Sequence, residues 1–323
     1  MTPPRVRPTR RSLLALGTGA ALATGLGVAP AASADGRAAA AAPSGRRGGE
    51  EVTARLRRLE AAHSERLQVP VRLGVFAYSP AGGTTVEHRA GEAFPMCSTF
   101  KTLAVAAVLR DLRQGDRFLH ERVRYPRRDT EESGYAPVTG RAENLRDGMT
   151  GAELCGAAVS YSDNCAANLL LRRLGGPGGV TRFCRSLGDD DTRLDHWEPA
   201  LNSAVPGAVE DTTTPRAIAL TYARLVLGNA LPARHRERLT GWLLANTTGR
   251  NQLRAGLPRD WALGDKTGAG KYGTNNDVGV AWPPGRPPVV LSVLTTTGDK
   301  ELDKTKTDVL IAETAALLAG ELG

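Results

Sequence analysis

The chain has 323 residues, 41% of them apolar, which is enough for one large domain or two small ones with genuine cores. Its formal net charge is +8, yet half of that excess is Arg5, Arg7, Arg10 and Arg11, in a first stretch of 34 residues that holds no acid. Aromatics make up 5%, and no basic cluster is interleaved with them, so the composition argues against a nucleic-acid partner.

The N-terminus reads as an address. Thr9-Arg10-Arg11-Ser12-Leu13-Leu14 precedes a short, glycine-containing apolar run, Leu13–Val28, and Ala32-Ser33-Ala34 offers small residues for cleavage. Residues 1–34 are therefore expected to be a secretory signal peptide, with the arginine pair pointing to the twin-arginine route. A membrane anchor is the alternative, but the run is short and Gly-rich for a span, and no Cys follows it for lipid attachment. The expected mature protein is secreted, with no stable membrane association after processing. Residues 35–49 are rich in Ala, Gly, Pro and Arg and read as a flexible lead-in to a catalytic domain over 50–323.

From Glu50 to Leu67 the sequence predicts a helix, with Val52, Leu56 and Leu59 on one face. Val71–Tyr78 predicts a strand, and Thr84–Arg89 a returning one after the turn residues of "PAGG". From Ser98 to about Ala245 the pattern is mainly helical. Strands are expected again at Asp265–Thr267, Asp277–Trp282 and Val289–Thr296, and a last helix at Thr305–Leu322. Both ends thus supply strands and a helix while the middle is helical. The reading is an α/β fold of the α+β type: a five-stranded antiparallel sheet flanked by helices, with an inserted all-α subdomain. The sheet part would take about 50–95 and 250–323, the helical part about 98–249, and a site would lie at their seam.

The four cysteines, Cys97, Cys155, Cys165 and Cys184, match no zinc or redox spacing. Export permits a disulfide, and buried free thiols are the alternative. None of the five histidines forms an HExxH pair, so no metal is expected.

Ser98-Thr99-Phe100-Lys101 opens an apolar helix. Residues i and i+3 share a helical face, so the Lys101 amine is within reach of the Ser98 hydroxyl. A desolvated lysine loses its proton more easily and can serve as a base. Ser162-Asp163-Asn164 lies at a helix boundary, where such residues cap helices but also present a hydroxyl and an amide to a ligand. Lys266-Thr267-Gly268, on a strand, offers a cation, a hydroxyl and a backbone open to close approach. In "TRLDHWEPALN", Glu198 and Asn202 stand four residues apart, a carboxylate and an amide able to hold one water.

Together and in this order, these four motifs resemble those of the class A serine β-lactamases, along most of the chain from about Glu50 onward. The resemblance implies hydrolysis of the β-lactam ring of penicillins and cephalosporins through a serine acyl-enzyme, conferring antibiotic resistance, with no cofactor and as a monomer. It implies catalytic roles for Ser98 as nucleophile, Lys101, or Glu198 through water, as its base, Ser162 as proton donor to the lactam nitrogen, and Glu198 with Asn202 as activators of the deacylating water. It implies an oxyanion hole from the N–H groups of Ser98 and Ala269. Substrate binding would fall to Asn164, Lys266, Thr267, Gly268 and Tyr135, the last as an aromatic wall at the mouth. A DD-peptidase or penicillin-binding protein with slow deacylation is the alternative, and Glu198 with Asn202 argues against it.

The sequence also departs from the family. His196 stands where an arginine commonly precedes Trp-Glu-Pro; a protonated His196 paired with Asp211 is expected, with a raised pKa. The places that usually supply an arginine to the substrate carboxylate hold Gln252, Asn275 and Thr307, leaving Lys306 or Arg250 to compensate. The family disulfide partner of Cys155 is replaced by Val105. The partner of Cys97 in carbapenem-hydrolysing relatives is replaced by Gly270, so strong carbapenem turnover is not expected.

Overall fold

A computed structural model of the chain describes residues 44–82, 85–111 and 116–323. The expected signal peptide and the start of the lead-in lie outside these residues. Helix α1 (Ser44–Leu67) begins earlier than the expected Glu50. Its stripe of Val52 and Leu56 is buried against the sheet. Strand β1 (Val71–Tyr78) is covered on both faces, which is why its sequence is almost continuously apolar. Strand β2 (Thr85–His88) alternates exposed and buried residues, as an edge strand with one wet face does.

A single 3₁₀ turn, Cys97–Thr99, leads into α2 (Phe100–Arg110). Every residue from Phe100 to Leu109 is buried, because the helix is apolar all round and other elements enclose it. Helix α3 (Gly151–Ser160) starts on a capping box: Glu153 N–H donates to Thr150 Oγ1 at 3.2 Å, and Thr150 N–H to Glu153 Oε2 at 2.7 Å. Helix α4 (Asn164–Arg173) is capped by Asp163, whose Oδ1 accepts from Ala166 N–H at 2.8 Å. Helices α5 (Gly178–Ser186), α6 (Pro215–Val226) and α7 (Ala233–Leu244) complete the helical stretch.

Strands β3 (Ala262–Ala269), β4 (Asn275–Trp282) and β5 (Val289–Thr297) then return to the sheet, whose order is β2-β1-β5-β4-β3, antiparallel throughout. A 3₁₀ turn, Lys304–Thr307, precedes the last helix, α8 (Asp308–Leu322). This is the expected α+β architecture. One face of the sheet packs Leu73, Val75, Leu291 and Val293 against α1 and α8. The other face meets α6 and the helical body. Tyr222, buried on α6, brings its hydroxyl to Thr99 O at 3.0 Å and to Thr102 Oγ1 at 2.8 Å, pinning the start of α2 at the seam.

Candidate active site

Ser98 sits in the 3₁₀ turn, not yet inside α2. Cys97 before it adopts φ of +46°, a left-handed conformation that costs a non-glycine residue energy and aims the turn into the cleft. Lys101, one turn on, is fully buried. Its Nζ lies 3.0 Å from Glu198 Oε1 and donates to Ser162 O at 2.8 Å and Asn164 Oδ1 at 2.6 Å. Ser98 Oγ donates to the same Glu198 Oε1, at 3.3 Å. The shared helical face therefore joins Ser98 and Lys101 through a common oxygen: the serine hydroxyl is held by the carboxylate, not by the amine. Burial pushes the Lys101 pKa down, and the charge of Glu198 opposes that shift.

Ser162 also has left-handed backbone, φ +58°. Its Oγ accepts from Lys266 Nζ at 3.0 Å and lies 3.4 Å from Lys101 Nζ, between the two amines. Lys266 is itself fully buried, and its pKa falls to about 7, first through burial and then through repulsion from Lys101. Asp163, between Ser162 and Asn164, faces away from the cleft. Besides capping α4, its Oδ2 accepts from the N–H groups of Val138 and Thr139 at 2.9 Å each, fixing the loop that carries Tyr135. Asn164 spends its Oδ1 on Lys101 and one N–H on Ser133 O, at 2.9 Å.

Glu198 is 4% exposed, far from the solvated loop acid its sequence context suggests in isolation. Asn202 Nδ2 donates to its Oε2 at 2.5 Å. A clamp invisible in the motifs holds its backbone: Asn168 of α4 accepts from Glu198 N–H and donates to Glu198 O, each at 3.0 Å. The Glu198–Pro199 peptide bond is cis.

Gly268 has a tighter reason than ligand approach. A Cβ there would meet Met96 O at 2.7 Å and Ser98 N at 3.2 Å, so only glycine lets β3 close on the Ser98 turn. The resulting cleft, about 380 Å³, is lined by Ser98, Tyr135, Ser162, Asn164, Asn202, Thr267, Gly268 and Ala269, with Lys101, Glu198 and Lys266 buried around it. Thr248 and Lys304, which the motifs did not single out, complete the lining. A larger groove of about 570 Å³, mostly apolar and bounded by Leu119, Met149 and Trp242, contains none of the motif residues.

Gln252, Asn275 and Thr307 are buried and bonded to their surroundings. Neither Arg250 nor Lys306 lines the cleft; Lys304 does. All four cysteines are buried free thiols. A Cβ on Gly270 would lie 2.8 Å from Cys97 Sγ, so that thiol faces a residue with nothing to pair. Among the described residues, no group of three or more His, Cys, Asp or Glu could hold a metal ion, and no helix is long and apolar enough to cross a membrane.

His196 Nδ1 lies 2.6 Å from Asp211 Oδ2, while Asp211 Oδ1 accepts from the N–H groups of Asp195 and His196 at 2.8 and 3.0 Å. The bond to Asp211 raises the His196 pKa. The pair's stabilisation is therefore complete below the unfolded value of about 6.5 and is lost as pH rises through the raised folded value. Replacing His196 with Arg is expected to stabilise more at pH 8 than at pH 5.5, read from urea midpoints at both. Equal effects at the two pH values would show that the charge on His196 contributes nothing.

A model of the β-lactamase enzyme family matches residues 51–322. A β-lactamase of Streptomyces lavendulae is 58% identical over 317 residues, covering 98% of each chain. The structure is similar to that of the β-lactamase from Streptomyces albus G, with a TM-score of 0.80 and 58% identity over 84% of this chain and all of that one. It is also similar to an ancestral class A β-lactamase, with a TM-score of 0.77 and 48% identity over 84% of this chain and 100% of the other.

Proposed function

The chain belongs to the class A β-lactamases and hydrolyses the β-lactam ring; from that premise we propose the role of each residue in its cleft. The observation that carries the proposal is the meeting of Ser98 Oγ and Lys101 Nζ on one oxygen of Glu198, whose other oxygen is held by Asn202.

Ser98 Oγ adds to the lactam carbonyl and gives its proton to Glu198. Lys101 Nζ, 3.0 Å from the same oxygen, holds that carboxylate in place. The N–H groups of Ser98 and Ala269 take the developing oxyanion; losing one such donor typically costs about 10²–10³ in rate. The C–N bond breaks as Ser162 delivers a proton to the nitrogen. The proton Glu198 took from Ser98 passes through Lys101 Nζ, 3.0 Å from Glu198 Oε1 and 3.4 Å from Ser162 Oγ, to replace it, which leaves Glu198 a carboxylate again. Lys266, bonded to Ser162 Oγ, favours the transfer. Asn164 offers its remaining N–H to the substrate's side-chain amide, Tyr135 walls the mouth, and Thr267 meets the substrate carboxylate. A water between Glu198 and Asn202 then attacks the ester and loses a proton to Glu198, which passes it to Ser98 Oγ as the ester C–O bond breaks and Ser98 is released. Asn202 Oδ1, buried and with no hydrogen-bond partner in the protein, is an acceptor for that water.

We also propose that residues 1–34 are a signal peptide, that 35–49 lead in to a catalytic domain over 50–323, and that the mature protein is secreted, monomeric and free of the membrane. The test mixes the mature protein, Asp35 onward, with a chromogenic cephalosporin and reads intact mass in parallel. Many turnovers with a fleeting adduct on Ser98 support the mechanism. One equivalent consumed with a lasting adduct overturns it in favour of a penicillin-binding protein.

A further inference from the structure

We propose that Lys304 is the cation that holds the carboxylate of a β-lactam substrate. The inference rests on the hydrolase reading and names a specificity residue within it.

A monoanionic substrate needs a fixed positive charge at the place its carboxylate occupies. Among the described residues lining the cleft, Lys304 is the one with a formal charge; the rest are Ser98, Tyr135, Ser162, two amides and two threonines of the walls, and the Gly268-Ala269 backbone. Lys101 and Lys266 are buried and already committed, to Glu198 and to Ser162. Lys304 lines the cleft, is exposed and forms no ion pair among the described residues.

The residues that stand in place of arginines are what fix it. Gln252 Nε2 donates to Asn275 Oδ1 at 2.5 Å and to Asp308 Oδ1 at 3.1 Å. Asn275 Nδ2 donates to Asp308 Oδ1 at 2.8 Å and to the Lys304 carbonyl at 3.1 Å. Thr307 Oγ1 donates to the same carbonyl at 2.7 Å. Asp303 caps the turn, its Oδ1 accepting from Thr305 N–H at 2.9 Å. Asn275 and Thr307, with Gln252 behind them, are three buried neutral side chains that thus fix the backbone of the lysine lining the cleft. Across from it, the hydroxyls of Thr267 and Thr248 lie 2.6 Å apart and supply the hydrogen bonds to the other carboxylate oxygen.

The experiment compares a penicillin with its methyl ester, which keeps the shape and removes the charge. The readout is the second-order rate at which Ser98 is acylated, followed by intact mass, for wild type, Lys304→Ala, Lys304→Arg and Lys306→Ala. Lys304→Ala is expected to slow acylation by the free acid about tenfold, the weak end for a bond between charged groups because the ammonium is exposed. The ester rate stays unchanged, Lys304→Arg restores most of the loss, and Lys306→Ala behaves as wild type. At 1 M salt, where screening acts over about 3 Å, the wild-type advantage of acid over ester shrinks. An equal loss on acid and ester, or no loss on the acid, overturns the assignment. A wild type that acylates but never turns over would instead overturn the hydrolytic reading and leave this comparison intact; a wild type that is never acylated overturns both.

Discussion

Replacing Glu198 with alanine is expected to stop the enzyme halfway, with a β-lactam-derived mass accumulating on Ser98. Glu198 is placed to serve both half-reactions, since Ser98 Oγ lies 3.3 Å from Oε1 and Asn202 holds Oε2. The two halves do not suffer equally. Acylation keeps an alternative base in Lys101, whose pKa burial has already lowered. Deacylation keeps none: water is a poor nucleophile, and among the described residues no second carboxylate lines the cleft. A positioned base contributes about 10²–10⁴ in rate, so turnover should fall about 10³-fold while the adduct still forms. Intact mass after mixing with a cephalosporin decides. An adduct that clears at the wild-type rate would take Glu198 out of deacylation. Failure to form any adduct would show that Lys101 cannot accept the proton.

Replacing Lys101 with methionine is expected to damage stability as well as rate. The side chain fits the same buried volume, so packing is largely kept. What disappears is the charge. Glu198 Oε1, Ser162 O and Asn164 Oδ1 lose their shared, buried donor. Removing one partner of a buried ion pair typically costs about 3–5 kcal/mol, because the remaining charge is left uncompensated. Against total stabilities of about 5–15 kcal/mol this is a large fraction. Urea unfolding measures it. Adding Glu198→Ala to the variant should recover part of the loss, giving a coupling of about 1 kcal/mol or more in a double-mutant cycle. Strictly additive costs would mean that the two side chains do not stabilise each other.

The chemistry of this chain was legible because it is written in short motifs, each keeping its residues within a few positions: Ser98 to Lys101, Ser162 to Asn164, Glu198 to Asn202, Lys266 to Gly268. Contacts made across the fold were not. Asn168 reads as one more polar residue on an amphipathic helix, and nothing local says that its amide clamps Glu198, thirty residues away. Lys304 stands two residues from Lys306, and nothing local says that it is the one lining the cleft. The strand ends were also hidden. β3 runs from Ala262 to Ala269, longer than the expected Asp265–Thr267, because Gly264, Asp265 and Gly268 have poor strand propensity and are held there by packing. Likewise Lys304–Thr307 forms a 3₁₀ turn ahead of α8, where apolar periodicity alone suggested one continuous helix.

The position of β1 has a consequence for how the molecule comes into being. Its full-length neighbour is β5, so Val71 pairs with Thr297 and Tyr78 with Val290, while on its other side the four residues of β2 offer only a short hairpin. Such a pairing closes almost the whole chain into a loop and cannot nucleate early. A ribosome that has reached Asn202 has already joined Ser98, Lys101, Ser162 and Glu198 into the chain. It has not yet made β3, β4 or β5, so the polypeptide still lacks three of the five strands of the sheet, among them the one that carries Lys266, Thr267 and Gly268. Hydrolytic competence therefore arrives all at once, with the final strand.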